Sequence, residues 1–240
     1  MMGIISRGRC HSASVFCLFS AMWRRLPAAI LQGRNGLVKM MRYGSEHREK
    51  THNILVDAAS VLVRRDGPDN LSVGELMKSV GLTHGGFYYH FSSREDMLAR
   101  AIERAFASTV KRLDDICVDC SAAEAIRGYV ERYLSPSHRD NRGTGCPLAT
   151  LTAHAVLLGD SSRESFEQGA ARLTSRVAEL LELAGCTNAG TLAISILCEM
   201  SGTLGVARII RSRAQSDEML RIGRLSVLTR VGLTEKPAQS

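Results

Sequence analysis

From Glu46 onward, apolar residues recur at intervals of three and four along most of the chain, and they do not alternate with polar residues over any sustained run. Intervals of three and four place side chains on one face of a helix, whereas alternation is typical of a strand. Prolines, which interrupt helices, number only 5 in 240 residues. The pattern therefore predicts an all-α protein.

The first regular helix is expected after Glu46. Its apolar face would consist of Ile54, Leu55, Ala58, Val61 and Leu62. The segment Asp66-Gly67-Pro68-Asp69 should end this helix, because glycine and proline together interrupt helical structure.

Three residues that favour helix N-termini follow closely: Ser72, Thr83 and Ser93. Ser72 precedes Glu75 at the spacing of a capping box, and Ser93 precedes Asp96 in the same way. The helices that begin at Ser72 and Thr83 are short and are joined by a turn. This arrangement is typical of a helix-turn-helix. The third opens a longer helix, whose expected buried stripe is Met97, Leu98, Ala101, Ile102 and Ala105.

Residues 72–98, SVGELMKSVGLTHGGFYYHFSSREDML, resemble the DNA-binding domain of TetR-family repressors. In that family a Gly-x-Ser/Thr turn precedes a Phe-Tyr-Tyr-His-Phe run, and a Lys or Arg opens the next helix. The resemblance implies a DNA-binding domain at 42–92 and a larger ligand-binding and dimerisation domain at 93–240. The chain departs from the family at Gly74, where a base-reading Arg is frequent, and at Met77, where a small residue is usual.

The resemblance also implies which residues contact double-stranded operator DNA. Base edges are read from the first turn of the recognition helix, and phosphates are held by hydroxyls, amides and basic groups. Thr83 and His84 would reach bases, while Gly85 and Gly86 would permit close approach of the backbone. Phosphate contacts would come from Ser72, Tyr88, Tyr89, His90 and Arg94. Phe87 and Phe91 are expected in the core. For His84 and His90, a solvated or packed side chain without DNA contact is the alternative.

Further helices are expected at residues 122–134, 146–158, 161–184, 187–210 and 216–231, with 137–145 as a polar loop and 146–158 as a buried helix. The last two are rich in small and apolar residues, which predicts a homodimer through a four-helix bundle. The residues in question are Leu197, Met200, Gly202, Leu204, Gly205, Ala207, Ile209, Leu220, Leu225 and Leu228. Packing of both faces within one monomer is the alternative.

The region 129–158 resembles one subgroup of the family, whose members bind small ligands between the central helices and the long fourth helix. The expected pocket residues are Phe106, Tyr129, Tyr133 and Cys146. A ligand there would release the repressor from DNA; activation in place of repression is the alternative. Cys146 itself has two interpretations: a buried structural thiol, or a thiol that senses electrophiles or oxidants, which would make the chain a redox-responsive regulator of the same fold.

Charge is concentrated at the N-terminus. Six of the 31 basic residues and none of the 24 acidic ones lie in residues 1–41, so the formal net charge of +7 leaves +1 for the remainder. A near-neutral folded part argues against a non-specific, architectural DNA-binding protein. Residues 1–41 are expected to be a disordered extension, or an upstream misreading with the start at Met40 or Met41. A signal peptide and a functional basic tail are alternatives.

Other classes of protein find little support. The apolar run 13–23 is shorter than the roughly 20 residues that span a bilayer, so no membrane association is expected. Cys117 and Cys120 lack a second ligand pair for zinc, and seven scattered cysteines suit a reducing cytoplasm. No nucleotide-binding loop, HExxH or Gly-x-Ser-x-Gly motif is found, so we expect neither catalysis nor a cofactor, with an uncharacterised helical enzyme as the alternative.

Overall fold

The computed structural model describes the backbone of residues 28–233 and the side chains of residues 46–233. Its described part contains helices and turns without a strand, which confirms the all-α prediction. The chain divides into two units, 1–50 and 51–240, and the features below belong to the second. The α-helices are α1 Ala28–Asp66, α2 Val73–Ser79, α3 Phe87–His90, α4 Arg94–Ile116, α5 Ala122–Tyr133, α6 Pro136–Asp140, α7 Pro147–Ala155, α8 Asp160–Leu183, α9 Ala189–Ile209 and α10 Arg213–Arg230.

Helix α1 begins at Ala28, well before Glu46, where the apolar pattern becomes regular. It ends at Asp66 as predicted, where Gly67 adopts a left-handed φ of 89° that favours glycine. The interpretation of residues 1–41 as an extension, a misreading or a signal peptide stays a prediction. Most of that segment, residues 1–27, lies outside the described residues.

Helices α4 and α8 pack against each other along their length and form the centre of the core. Ser93 caps α4 by accepting a hydrogen bond from the Asp96 amide at 3.0 Å, and the predicted stripe on α4 is fully buried. Phe106 of α4 meets Phe166 of α8 edge to face, with ring centroids 5.2 Å apart. The close approach depends on Gly169, because a Cβ atom there would lie 2.3 Å from the Phe106 ring.

Two expectations for the region 137–158 are wrong. The segment 137–145 is not a plain loop: Pro136 at the first helical position and the Ser135 cap start the short helix α6, and Arg142–Thr144 forms a 3-10 turn. The apolar stretch 146–158 is not buried throughout, because α7 ends at Ala155 and the side chains of Val156 and Leu157 are exposed. Apolar composition alone did not reveal where this helix ends.

Helices α9 and α10 pack on each other and on the core. Four of the residues predicted to lie in the dimer interface are instead buried within the chain itself: Leu197, Met200, Leu204 and Leu220. They cannot contact a partner, so this part of the prediction is wrong. Among the described helices, α9 is long and apolar enough to cross a membrane by length and composition alone, but a third of that stretch is buried in the protein. Several other apolar residues of α9 and α10 face outward: Ile194, Val206, Ile209, Ile222 and Leu225.

Candidate DNA-binding surface and effector cavity

Helices α2 and α3 are short and are joined by a tight turn, as the sequence predicts for a helix-turn-helix. Ser72 caps α2 by accepting a hydrogen bond from the Glu75 amide at 3.0 Å, and Gly81 in the turn has a φ of 74°. The recognition segment differs from the single helix expected from Thr83 onward. It starts as a 3-10 turn, His84–Gly86, and becomes α-helical only at Phe87. Two consecutive glycines explain this start, since each weakens an α-helix by about 1 kcal/mol.

The aromatic run divides into an inner and an outer pair. Phe87 and Phe91 are buried, as predicted, and their rings pack 5.2 Å apart. Tyr88 is 72% exposed and Tyr89 is 58% exposed. Two neighbouring tyrosine side chains therefore lie at the surface of the recognition segment, next to a buried aromatic pair.

The first turn of the recognition segment is also exposed. Thr83, His84 and Gly85 lie at the surface, and Thr83 makes no capping hydrogen bond with its hydroxyl. The start of α2 lies beside this turn, because a Cβ on Gly74 would be 3.9 Å from the His84 ring. The structure thus brings the predicted base-reading residues and the N-terminus of α2 to one surface.

Gly86 has a packing role that the sequence did not reveal. A Cβ there would lie 3.3 Å from the Met77 Cε, whereas a Cβ on Gly85 would face open space. The large residue at 77 is therefore accommodated by the absence of a side chain at 86. The contact joins two helices, so the spacing of residues along the chain does not show it.

Three of the predicted phosphate contacts are engaged within the domain. Arg94 donates hydrogen bonds to the backbone carbonyls of Pro68 and Leu71, which holds the loop between α1 and α2. Ser72 uses its hydroxyl as the cap of α2. His90 is half-buried and stacks on His52, with ring centroids 6.2 Å apart. DNA contact by these three residues stays a prediction.

A cavity of about 450 Å³ lies between α4, α5 and the segment 135–146. It is lined by Thr109, Arg112, Leu113, Ile116, Tyr129, Arg132, Tyr133, Ser135, Ser137, His138, Asn141, Thr144 and Cys146. Tyr129, Tyr133 and Cys146 are thus located as expected. Phe106 is not: it is fully buried between α4 and α8, where Gly169 admits its ring, and it does not reach the cavity.

His138 and Cys146 form one side of the cavity. The His138 Nε2 accepts a hydrogen bond from the Cys146 amide at 2.9 Å, and the opposite nitrogen, Nδ1, lies 2.7 Å from the Tyr133 carbonyl, to which it donates. This arrangement requires a neutral imidazole, and burial lowers the pKa of His138 to about 4. Burial also raises the pKa of the Cys146 thiol, which therefore stays protonated at neutral pH.

The wall of the cavity is bound directly to α1. Arg64, a buried residue, donates a hydrogen bond from Nη1 to the Gly145 carbonyl at 3.0 Å. Gly143 fits closely against the same helix, because a Cβ there would lie 2.9 Å from the Val61 Cγ1. Neither contact could be read from the sequence, since Arg64 and Gly145 are 81 residues apart.

Comparison with known proteins agrees with this architecture. A family model described as "Bacterial regulatory proteins, tetR family" matches residues 55–101. The HTH-type transcriptional repressor NemR of Escherichia coli (strain K12) is 24% identical over 144 residues, which are 59% of this chain and 71% of NemR. The uncharacterized HTH-type transcriptional regulator YfiR of Bacillus subtilis is 25% identical over 137 residues, 57% of this chain and 66% of YfiR.

Solved structures show the same fold. The crystal structure of reduced E. coli NemR superimposes with a TM-score of 0.66 at 21% identity, covering 79% of this chain and all of that one. A TetR transcriptional regulator from Legionella pneumophila gives a TM-score of 0.63 at 20% identity, covering 73% and 94%. The segment matched by the family begins in α1, includes the whole helix-turn-helix and ends in α4. The helix-turn-helix segment of this chain thus matches the TetR family of bacterial regulators, and the chain shares the fold of solved TetR-family structures.

Proposed function

We propose that this chain is a transcriptional repressor that binds a double-stranded operator as a homodimer and leaves it when a small molecule enters the cavity. The observation that carries the proposal is the recognition segment, in which Tyr88 and Tyr89 are exposed on a buried base of Phe87 and Phe91. A similar protein, NemR of E. coli, is named a repressor. A regulator of this kind acts in the cytoplasm and needs no catalytic residues.

On the DNA surface, the residues have different tasks. Thr83 and His84 read bases, and Tyr88 and Tyr89 hold phosphates through their hydroxyls. Arg94 acts as a positioning residue, because its hydrogen bonds to Pro68 and Leu71 fix the loop that precedes α2. The folded part needs no large positive charge, since hydroxyls and backbone amides also contact phosphates.

The dimer forms through the outer faces of α9 and α10. On α9 the outward residues Ile194, Cys198, Gly202 and Val206 recur at intervals of four, which makes a continuous stripe. Apart from its chain neighbours and the backbone of α9 itself, no described atom lies within 4 Å of where a Cβ on Gly202 would be, so a partner helix can approach closely there. Exposed apolar residues in a contiguous stripe are typical of an interface. A dimer would place two recognition segments about one DNA turn apart.

A ligand in the cavity can affect the DNA-binding domain through two structural connections. Helix α4 begins at Arg94, which binds the loop before α2. The same helix continues to Arg112 and Ile116 in the cavity wall. The segment that carries Cys146 is bound to α1 through Arg64 and the Gly145 carbonyl. A ligand that displaces either wall therefore changes the orientation of the DNA-binding domain, which favours one of two conformations over the other.

Sensing by Cys146 is the second candidate mechanism. Cys146 lines the cavity, where a small electrophile would come close to it. The raised pKa of the buried thiol opposes rapid reaction, because the thiolate is the nucleophile. Ligand occupancy therefore remains the first proposal, and Cys146→Ser separates the two: a repressor that still releases DNA with this substitution does not need the thiol.

The DNA-binding role is tested by replacing Tyr88 with Phe. This change removes only an exposed hydroxyl, so stability should be unaffected, while loss of a hydrogen bond to a charged phosphate should weaken operator binding roughly tenfold. Fluorescence anisotropy with labelled DNA from the region flanking the gene provides the affinity. Val118→Ala is the control, since Val118 is 72% exposed and lies just beyond the C-terminal end of α4. Equal affinities for the wild type and Tyr88→Phe would contradict this role.

A further inference from the structure

The cavity is positively charged. Arg112 and Arg132 contribute to its lining, and no aspartate or glutamate does so among the described residues. The guanidinium of Arg112 donates a hydrogen bond to the Thr109 hydroxyl at 3.1 Å, which is a neutral partner. Within residues 46–233, neither arginine forms an ion pair. A partly buried arginine without a carboxylate is unusual, because burying an uncompensated charge is costly.

Two more arginines lie behind the cavity wall and strengthen this charge. Arg64 and Arg208 donate only to neutral oxygens, namely backbone carbonyls and one hydroxyl. Burial is the main cause of the lowered pKa of His138, about 4, and the charges of Arg208, Arg112 and Arg64 lower this pKa further. Arg64, Arg112 and Arg208 are thus buried or half-buried, and none of them forms an ion pair within the described residues, whereas Arg132 is exposed to solvent.

Tyr129, which lines the same cavity, carries an unused hydrogen-bond donor. Its side chain is 5% exposed, and its hydroxyl has no hydrogen-bond partner in the described part of the chain. Buried hydroxyls without a partner are rare and call for an explanation such as a missing ligand. Burial raises the pKa of Tyr129, so the group remains an O–H donor. His138 cannot serve instead, because both its nitrogens bind backbone groups.

The remaining walls suit an apolar body. Leu113 and Ile116 of α4 line the cavity together with the rings of Tyr129 and Tyr133. The volume of about 450 Å³ lies within the range of pockets that hold small molecules. A cationic side chain, a tyrosine with an unpartnered hydroxyl and several apolar side chains thus line one cavity.

We infer that the cavity binds a small organic anion, a carboxylate on an aromatic or short aliphatic body, held by the Arg112 guanidinium and the Tyr129 hydroxyl. The role of this anion as the effector that releases DNA rests on the proposed function. Binding of the anion itself does not, because it follows from the cavity alone. A guanidinium and a hydroxyl donor both bind more strongly to an anionic than to a neutral oxygen.

The test is calorimetric titration of the full chain, without DNA, with three series of matched probes. Each series contains a carboxylate, its primary amide and the corresponding amine. The three carboxylates are benzoate, phenylacetate and octanoate. In at least one series the carboxylate should bind tenfold or more tightly than its amide, with the amine weaker still. The inference is overturned when amides or amines bind as tightly as carboxylates, or when no carboxylate binds in any series.

Variants identify the anchoring groups. Arg112→Gln should reduce binding of the best carboxylate tenfold or more, while Arg127→Gln, on α5 and outside the cavity lining, should leave it unchanged. Tyr129→Phe should weaken the carboxylate several-fold and yet raise, or leave unaltered, the melting temperature of the free protein, because the hydroxyl lacks a partner. A lower melting temperature with unchanged binding would show a structural role and contradict the assignment.

A second assay separates this inference from the proposed function. The carboxylate that binds best is added to the complex of the protein with operator DNA. Binding without release of DNA would contradict the effector role and leave the anion site intact. Release of DNA by neutral molecules that bind more tightly than any carboxylate would overturn the anion site and leave the repressor function intact.

Discussion

His138 is held between two backbone groups, the amide of Cys146 and the carbonyl of Tyr133, and it joins α6 to the start of α7. The surrounding sequence, SHRDNRGTG, is polar and would place a histidine in solvent. The structure instead buries the ring beside Arg208, Arg112 and Arg64, whose charges oppose its protonation. A neutral histidine is therefore part of the structure of the cavity.

The stability of the protein should depend on this neutral state. The folded pKa of about 4 is below the ordinary value of 6.5, so the unfolded chain binds the proton first and stability falls as pH decreases from 6.5 towards 4. Between pH 7 and pH 5 the free energy of unfolding should decrease by about 2 kcal/mol from this residue. Urea unfolding at both pH values should show a smaller decrease for His138→Gln. Equal decreases would contradict the assignment.

Local features of single residues could be predicted from the sequence, and contacts between distant residues could not. The caps Ser72 and Ser93 depend on partners three residues away, so their spacing is sufficient. The fit of Met77 to Gly86 and the bond from Arg64 to Gly145 depend on how helices pack. The prediction for Phe106 was wrong for the same reason. The sequence did not show that Gly169 of α8 makes room for its ring, which therefore packs on α8 and not in the cavity.

At the scale of elements, α4 connects the DNA-binding domain, the core and the cavity. One end of this helix is held at the loop before α2 through Arg94, and its other end lines the cavity with Arg112 and Ile116. Between them, Phe106 packs on α8 at Gly169. The helix boundaries were largely predictable because capping and apolar periodicity are local. The end of α7 was not, since nothing in its apolar stretch marks a stop.

The packing of α4 on α8 predicts a large effect of a small substitution. Gly169→Ala would bring a Cβ within 2.3 Å of the Phe106 ring, so the two helices must move apart or the ring must leave its position. We expect a loss of about 2 kcal/mol in the free energy of unfolding. Chemical denaturation measures this change. Gly190→Ala on α9, where nothing lies within 4 Å, is the control and should be neutral or slightly stabilising. Similar effects of both changes would contradict the close contact.

At the scale of the whole molecule, the outer faces of α9 and α10 remain apolar after the chain has folded. Ile194, Val206 and Ile209 of α9 and Ile222 and Leu225 of α10 are each more than 40% exposed. The sequence indicated these two helices as an interface but could not separate their inner from their outer residues, because α9 is apolar on all sides. Only the fold shows which face is left for a partner.

The proposed dimer predicts the effect of a charge on this face. Ile194→Arg should convert the dimer to a monomer, because the buried guanidinium would lack a partner, and operator affinity should fall with the loss of the second recognition segment. Analytical ultracentrifugation measures the mass. Leu157→Arg, at a residue that is 78% exposed outside these helices, should leave a dimer. A dimer that persists in Ile194→Arg would place the interface elsewhere.

Sequence-specific binding to DNA by a two-fold symmetric dimer can be measured on the whole genome. The most direct measurement is capture of sheared genomic DNA from the source organism by the purified chain, followed by sequencing of the retained fragments. We expect discrete peaks that contain an inverted repeat, with half-sites about one helical turn apart or slightly more, and loss of these peaks with Tyr88→Phe or Ile194→Arg. Uniform retention across the genome, unchanged by either substitution, would contradict sequence-specific binding.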